Sequence, residues 1–138
     1  MAIVQTQTTS FKAELYQGVH NLLTDTLKIA LYTANANLNE TTTVYSSTNE
    51  VVASGYTAGG NTLTGATVNT SDYTAYVNFS NTSWTSALTA RCALIYNASK
   101  GDKSIAVIDF GSDKTSTTTF LITMPANTST TALIRSSN

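Results

Sequence analysis

One histidine, one cysteine and eight acidic residues limit the chemistry open to this chain. His20 is a lone imidazole, which removes multi-histidine metal sites and leaves a single ring for acid–base work. It stands one residue past Val19 on an apolar helical pattern and reads as a boundary or surface histidine lacking the positioned partners that catalysis needs. Cys92 follows Arg91, a cation able to lower a thiol pKa, yet it lies in the apolar run Ala90 to Tyr96, where cysteine acts as a small hydrophobe. With no second cysteine it cannot close an internal disulfide. The acidic residues are scattered singly, with no D-x-D cluster or calcium loop. Asp102 and Asp113 occupy two similar loops, Gly101-Asp102-Lys103 and Gly111-Ser112-Asp113-Lys114, where turn chemistry accounts for both. No G-x-S-x-G elbow occurs, and a triad would need His20 and remote residues. The sequence therefore assigns no catalytic residue, no cofactor and no metal ligand.

Aromatic faces offer a different chemistry, because tyrosine and tryptophan line sugar sites and protein interfaces. Tyr32, Tyr45, Tyr56 and Tyr76 fall where they can face outward; each reads first as a half-buried strand position, with a role as contact aromatics as the alternative.

The elements that must carry these residues are mostly strands. Phe11, Leu15, Val19, Leu22 and Leu23 recur at helical spacing, which predicts one amphipathic helix over about 10–23, capped by Ser10 and stopped at Thr24-Asp25. From Leu27 the period becomes two, with Leu27, Ile29 and Leu31 on one face. Residues 34–50 are polar and read as a long surface connection outside the core. Gly55, Gly59-Gly60-Asn61 and Gly65 punctuate short strands, and Ser71-Asp72 turns into an alternating strand with Tyr73, Ala75, Val77 and Phe79 on one side. The runs Cys92 to Tyr96 and Ile105 to Phe110 predict a hairpin buried on both faces. Two further strands follow in 118–124 and 131–135, the first ended by Pro125. About eight antiparallel strands over 27–136 imply an all-β sandwich or jelly roll, one domain over 1–138, with a core of Phe11, Leu15, Val19, Leu22, Leu94, Ile95, Val107 and Phe110.

Composition fits that class. Charged residues are only 11% of the chain and the formal charge is −1, so polarity comes from Thr, Ser and Asn, roughly two-fifths of all residues. Seven Lys plus Arg supply no basic stripe for nucleic acid. No apolar run reaches the roughly 18 residues of a membrane span, and the start lacks a secretory pattern, so no membrane partner and a cytoplasmic site of synthesis are expected.

Two long phrases, LKIALYTANANLNETTTVYSSTNEVVASGYTAGGNTLTG (27–65) and ALTARCALIYNASKGDKSIAVIDFGSDKTSTTTFLITMP (87–125), together with SFKAELYQGVHNL (10–22), resemble small virion structural proteins of tailed bacteriophages. The likeness runs over nearly the whole chain and contains no catalytic motif. It implies a particle protein made and assembled in the bacterial host cytoplasm and located in the virion. The expected role is a capsid cement or decoration protein, non-enzymatic, contacting the major capsid protein or other virion proteins. A homo-oligomer, a trimer at a threefold site, is the expected state. The alternative is a tail or fibre component, or a carbohydrate-binding host-attachment module.

Overall fold

The computed structural model describes residues 3–137. Its frame is a five-stranded antiparallel sheet in the order β1 (Thr6–Gln7), β8 (Lys103–Thr115), β7 (Thr89–Asn97), β2 (Leu27–Tyr32) and β3 (Asn61–Thr62). A three-stranded sheet runs β10 (Ile134–Ser136), β5 (Thr74–Asn78), β4 (Thr67–Ser71), and a two-stranded one pairs β6 (Thr82–Trp84) with β9 (Phe120–Ile122). The fold is all-β with antiparallel sheets, as expected, but with ten strands among the described residues where about eight were predicted.

The hairpin of β7 and β8 is the centre, and it is buried on both faces. Residues Ala93 and Ile95 point with Leu27, Ile29 and Leu31 into the main core, where Val77, Phe79, Trp84, Phe120, Ile122 and Ile134 from the smaller sheets meet them. Cys92, Leu94 and Tyr96 point the other way, with Ala30, Tyr32 and Val107. A bulge keeps the faces consistent: Ile95 pairs with Ala106 and Tyr96 with Ser104, so Ile105 is the extra residue and shifts the alternation of β8 by one. Ile105 therefore reaches the main core while Val107 joins the second one.

The second face is covered by the segment 34–50, in contrast to the expectation of a connection outside the core. Ala36 and Leu38 are buried in it, and Glu50 bridges to Tyr32 at the end of β2. Two isolated apolar residues in a polar stretch are enough, because the face they cover is already hydrophobic. Side-chain amides tie the layers at their edges. Asn61 of β3 donates to Thr82 Oγ1 (3.0 Å) and to the Ser83 carbonyl (2.8 Å) of β6, and Gln7 of β1 donates to the Arg135 carbonyl of β10 (2.9 Å).

The helix is shorter than the apolar pattern suggests. It spans Thr9–Tyr16, with Thr8 rather than Ser10 as its cap. Gly18, at φ 71°, closes a Schellman motif in which the Gly18 amide donates to the Leu15 carbonyl and the Val19 amide to the Glu14 carbonyl. The stripe is broken there. Phe11 is fully buried and Leu22 is buried, but Val19 is half-buried and Leu15, 39% exposed, lies outside the core. Of the remaining expected core residues, Leu94, Ile95 and Val107 are buried and Phe110 is half-buried against the main core. The expected turn at 111–114 is a four-residue excursion inside β8, opposite Arg91, between the pairs Cys92–Asp109 and Ala90–Lys114.

The helix face can be tested by two substitutions. Phe11→Ala should cost about 3–5 kcal/mol in urea unfolding, because it leaves a cavity under α1. Leu15→Asp should cost under about 1 kcal/mol, since its side chain meets water.

Candidate functional site

The most concentrated polar chemistry lies around Glu50, a buried residue at the junction of the 34–50 cover and β2. Its Oε1 accepts the Tyr45 hydroxyl (2.5 Å), and its Oε2 accepts the Tyr56 hydroxyl (2.5 Å) and the Gly59 amide (2.8 Å). Three donors on two oxygens satisfy the carboxylate that burial would otherwise penalise. Tyr56 is shared, for its oxygen also accepts the Leu31 amide of β2 (2.9 Å). Tyr96 donates to the Gly59 carbonyl (2.6 Å) and stacks on Tyr45 with ring centroids 4.6 Å apart, while Tyr32 donates to the Ser46 carbonyl (2.7 Å). Gly60 follows because the backbone passes against β2: a Cβ there would lie 1.8 Å from the Ile29 carbonyl oxygen.

This cluster shows where the tyrosines lie. Tyr32 and Tyr56 are buried, Tyr45 is half-buried, and their hydroxyls turn inward to serve as donors. Tyr76, on β5, is half-buried and away from the cluster. Burial and, after it, the hydrogen bond to Glu50 push the phenols of Tyr45 and Tyr56 above their ordinary range, and burial lifts Tyr96 to about 12. They stay protonated as hydrogen-bond donors near neutral pH. The tyrosines that do face solvent are Tyr16, at the end of α1, and Tyr73, in the β4–β5 turn. Tyr73, expected on the strand face of Val77 and Phe79, belongs instead to the turn that Ser71-Asp72 signals; nothing comparable marks Tyr16.

A second network surrounds His20, whose side chain is wholly buried rather than at a boundary. After Gly18 the chain folds back and sets the ring against Phe11, centroids 5.1 Å apart. Asn97 Nδ2 lies 2.9 Å from His20 Nδ1 and donates to Asp25 Oδ2 (2.8 Å), while Asn97 Oδ1 accepts the Ser99 amide (3.0 Å). An amide nitrogen only donates, so Nδ1 accepts and Nε2 carries the proton toward Glu14 Oε1, 2.9 Å away. Both ring nitrogens are thereby occupied within the fold. Lys100 closes the chain of contacts on Asp25 Oδ1 (2.9 Å). The Asn21 amide, followed by Asn97 and Lys100, holds the Asp25 carboxyl down at about 2.

The remaining candidates are apart from one another. Cys92 is fully buried, and burial pushes its thiol up to about 12, which disfavours the reactive thiolate despite Arg91. Arg91 instead pairs with Asp109, whose carboxyl is lowered by the Gly111 amide and by that cation. Asp102 and Asp113 lie near opposite ends of β8, and no three His, Cys, Asp or Glu side chains converge on one point among the described residues. Among the described residues no helix is long and apolar enough to cross a membrane.

The surface offers two features. A groove of about 580 Å³ lies between the outer half of β8 and residues 119–125, with Ile108, Phe110, Phe120, Ile122 and Leu133 in its lining. The hairpin β4–β5 projects with every residue of β4 exposed. Comparison with protein-family models, curated proteins and solved structures gives no match.

Two outcomes test the buried networks. Glu50→Ala strands two hydroxyls and an amide, each costing about 1–3 kcal/mol when unsatisfied, and should lower stability by about 3 kcal/mol or more in denaturant titration. Asp25 supplies an acid dependence. Its folded pKa of about 2 lies below the ordinary 3.8, so its contribution is present above about pH 4 and is lost as pH falls through about 2. Melting temperatures measured across that window should fall less steeply for Asp25→Asn than for the unaltered protein.

Proposed function

We propose that this chain is a non-enzymatic structural protein of a tailed-bacteriophage particle that works by association, as a capsid cement or decoration protein bridging shell subunits. The observation that carries the association part is the use of the chemically capable side chains. His20, Glu50, Tyr32, Tyr45, Tyr56 and Tyr96 are spent on hydrogen bonds that fasten connections to the main sheet. Groups engaged in this way hold a scaffold rigid, and a rigid scaffold presents its outer strands in a fixed arrangement. The particle part rests on the resemblance of residues 27–65 and 87–125 to virion proteins.

In this reading the partners are the major capsid protein or other virion proteins and further copies of the chain, assembled in the bacterial host cytoplasm and retained in the virion. Stabilisation follows from mass action, since contacts made only with the assembled shell favour the assembled shell. Those contacts depend on shape and hydrogen bonding more than on charge. Exposed ion pairs are worth about 0–1 kcal/mol each, and a chain with 11% charged residues can form few of them.

Purified protein titrated onto capsids stripped of it should bind saturably at low salt and at about 1 M salt, where screening acts within about 3 Å. It should also raise the temperature at which the shells open. Absence of saturable binding at both salts rejects the cement role, and recovery of the protein on tails instead assigns it there.

A further inference from the structure

We propose that β4 is a self-pairing edge, along which two copies of this chain join antiparallel about a twofold axis at Asn69. The inference concerns the isolated chain and does not depend on the particle role above.

β4 and β5 are connected by two residues, Asp72 and Tyr73, with Ser71 opposite Thr74. A two-residue hairpin loop is flanked by a hydrogen-bonded pair, after which bonded and non-bonded pairs alternate. Ser71, Asn69 and Thr67 therefore spend their backbone groups on β5. Val68 and Thr70 point theirs away from it, and β4 has no strand on that side. Among the described residues no turn or loop amide or carbonyl bonds to either of them.

Edges of this kind are normally blunted by shortness, charge, proline, a bulge or a cover. The other edge strands obey the rule. β1 and β3 have two residues each, and β6, β9 and β10 three. β1 and β10 are tied by Gln7, β3 and β6 by Asn61, and β10 carries Arg135. β4 has five residues, Thr-Val-Asn-Thr-Ser, without charge, proline, glycine or bulge, exposed throughout. Its side chains are also partly set in place: Asn127 donates to Thr67 Oγ1 (3.2 Å) and to Asn69 Oδ1 (3.3 Å) across one face, leaving the backbone edge open.

The strand is complementary to itself. Antiparallel pairing that uses the outward groups must set Val68 against Thr70 of the second copy and Thr70 against its Val68, so Asn69 faces Asn69 and Thr67 faces Ser71. This register forms two reciprocal bonded pairs, places β-branched residues side by side, and brings no like charges opposite each other. Asp72, the nearest charge, falls opposite Ala66. A second copy thus satisfies every outward group of Val68 and Thr70, and the two three-stranded sheets become one of six. The contact is isologous, so it pairs whatever unit carries it, including a trimer formed through another surface.

Sedimentation velocity of the full chain over a concentration series should show reversible doubling of the assembling unit. Thr70→Pro removes an amide that faces away from β5, so the hairpin keeps its ladder while the edge loses two intermolecular bonds across the twofold. Its dissociation constant should rise about tenfold or more with an unchanged circular dichroism spectrum. Val68→Lys, which leaves the backbone intact and charges the edge, should weaken pairing in the same way and serves if the proline variant fails to fold. A unit that does not double at any concentration, or doubling that survives in a folded variant, overturns the proposal.

Discussion

A carboxylate taken out of water must be given donors, and at Glu50 this requirement shapes the stretch 45–59. The donors come from Tyr45, Tyr56 and the Gly59 amide, so residues 45–59 are held as one unit around a single side chain. Tyr56 carries the unit onto β2 through the Leu31 amide, and Tyr96 carries it onto β7 through the Gly59 carbonyl. The cover over the second face of the main sheet thus depends on an electrostatic debt at one position. Apolar burial adds to it, with Ala36 and Leu38 buried in that core and Tyr45 half-buried against it.

The His20 network does for the other end of β7 what Glu50 does for β2. Asn97, the last residue of β7, has both amide hydrogens and its oxygen engaged, and through it the turn after α1, the Asp25 corner and the short helical turn at 98–100 are joined. Hydrophobic contact is non-directional and fixes layers. Hydrogen bonds of this geometry fix which segment lies on which strand end. The two kinds of interaction divide the work, with apolar residues of β2, β7 and β8 making the layers and three buried polar side chains placing the connections.

What the sequence made legible was the part with short-range periodicity. Alternation in 27–32 and the apolar runs at 92–96 and 105–110 identify β2, β7 and β8, because a strand's face pattern is written in its own residues. The helix was overextended because the spacing of Leu15, Val19 and Leu22 imitates a stripe. Gly18, free to take φ 71°, ends it, and a glycine at that place is the signal that outweighs the spacing. Tyr32 and Tyr56 are buried more deeply than half-buried strand positions for a different reason. Their hydroxyls answer to Ser46 and Glu50, and which side of a strand a tyrosine prefers depends on such partners. His20 was hidden likewise, its partner Asn97 lying 77 residues away. An acid next to Val51-Val52 in a chain so poor in charge was the available clue to Glu50.

The N-terminal segment meets Leu38 and Glu40, but its strand pairing is with residues about a hundred positions further along. Thr8, buried, meets Ser104 across 96 residues, β1 pairs with Val107 and Ala106, and Phe11 fills the core that these strands complete. The segment's strand pairing and its place in the core are therefore available only once β8 is in position. Loop closure over such a span costs entropy before any contact repays it. β1 is thus formed by long-range closure onto β8 and not by a local hairpin.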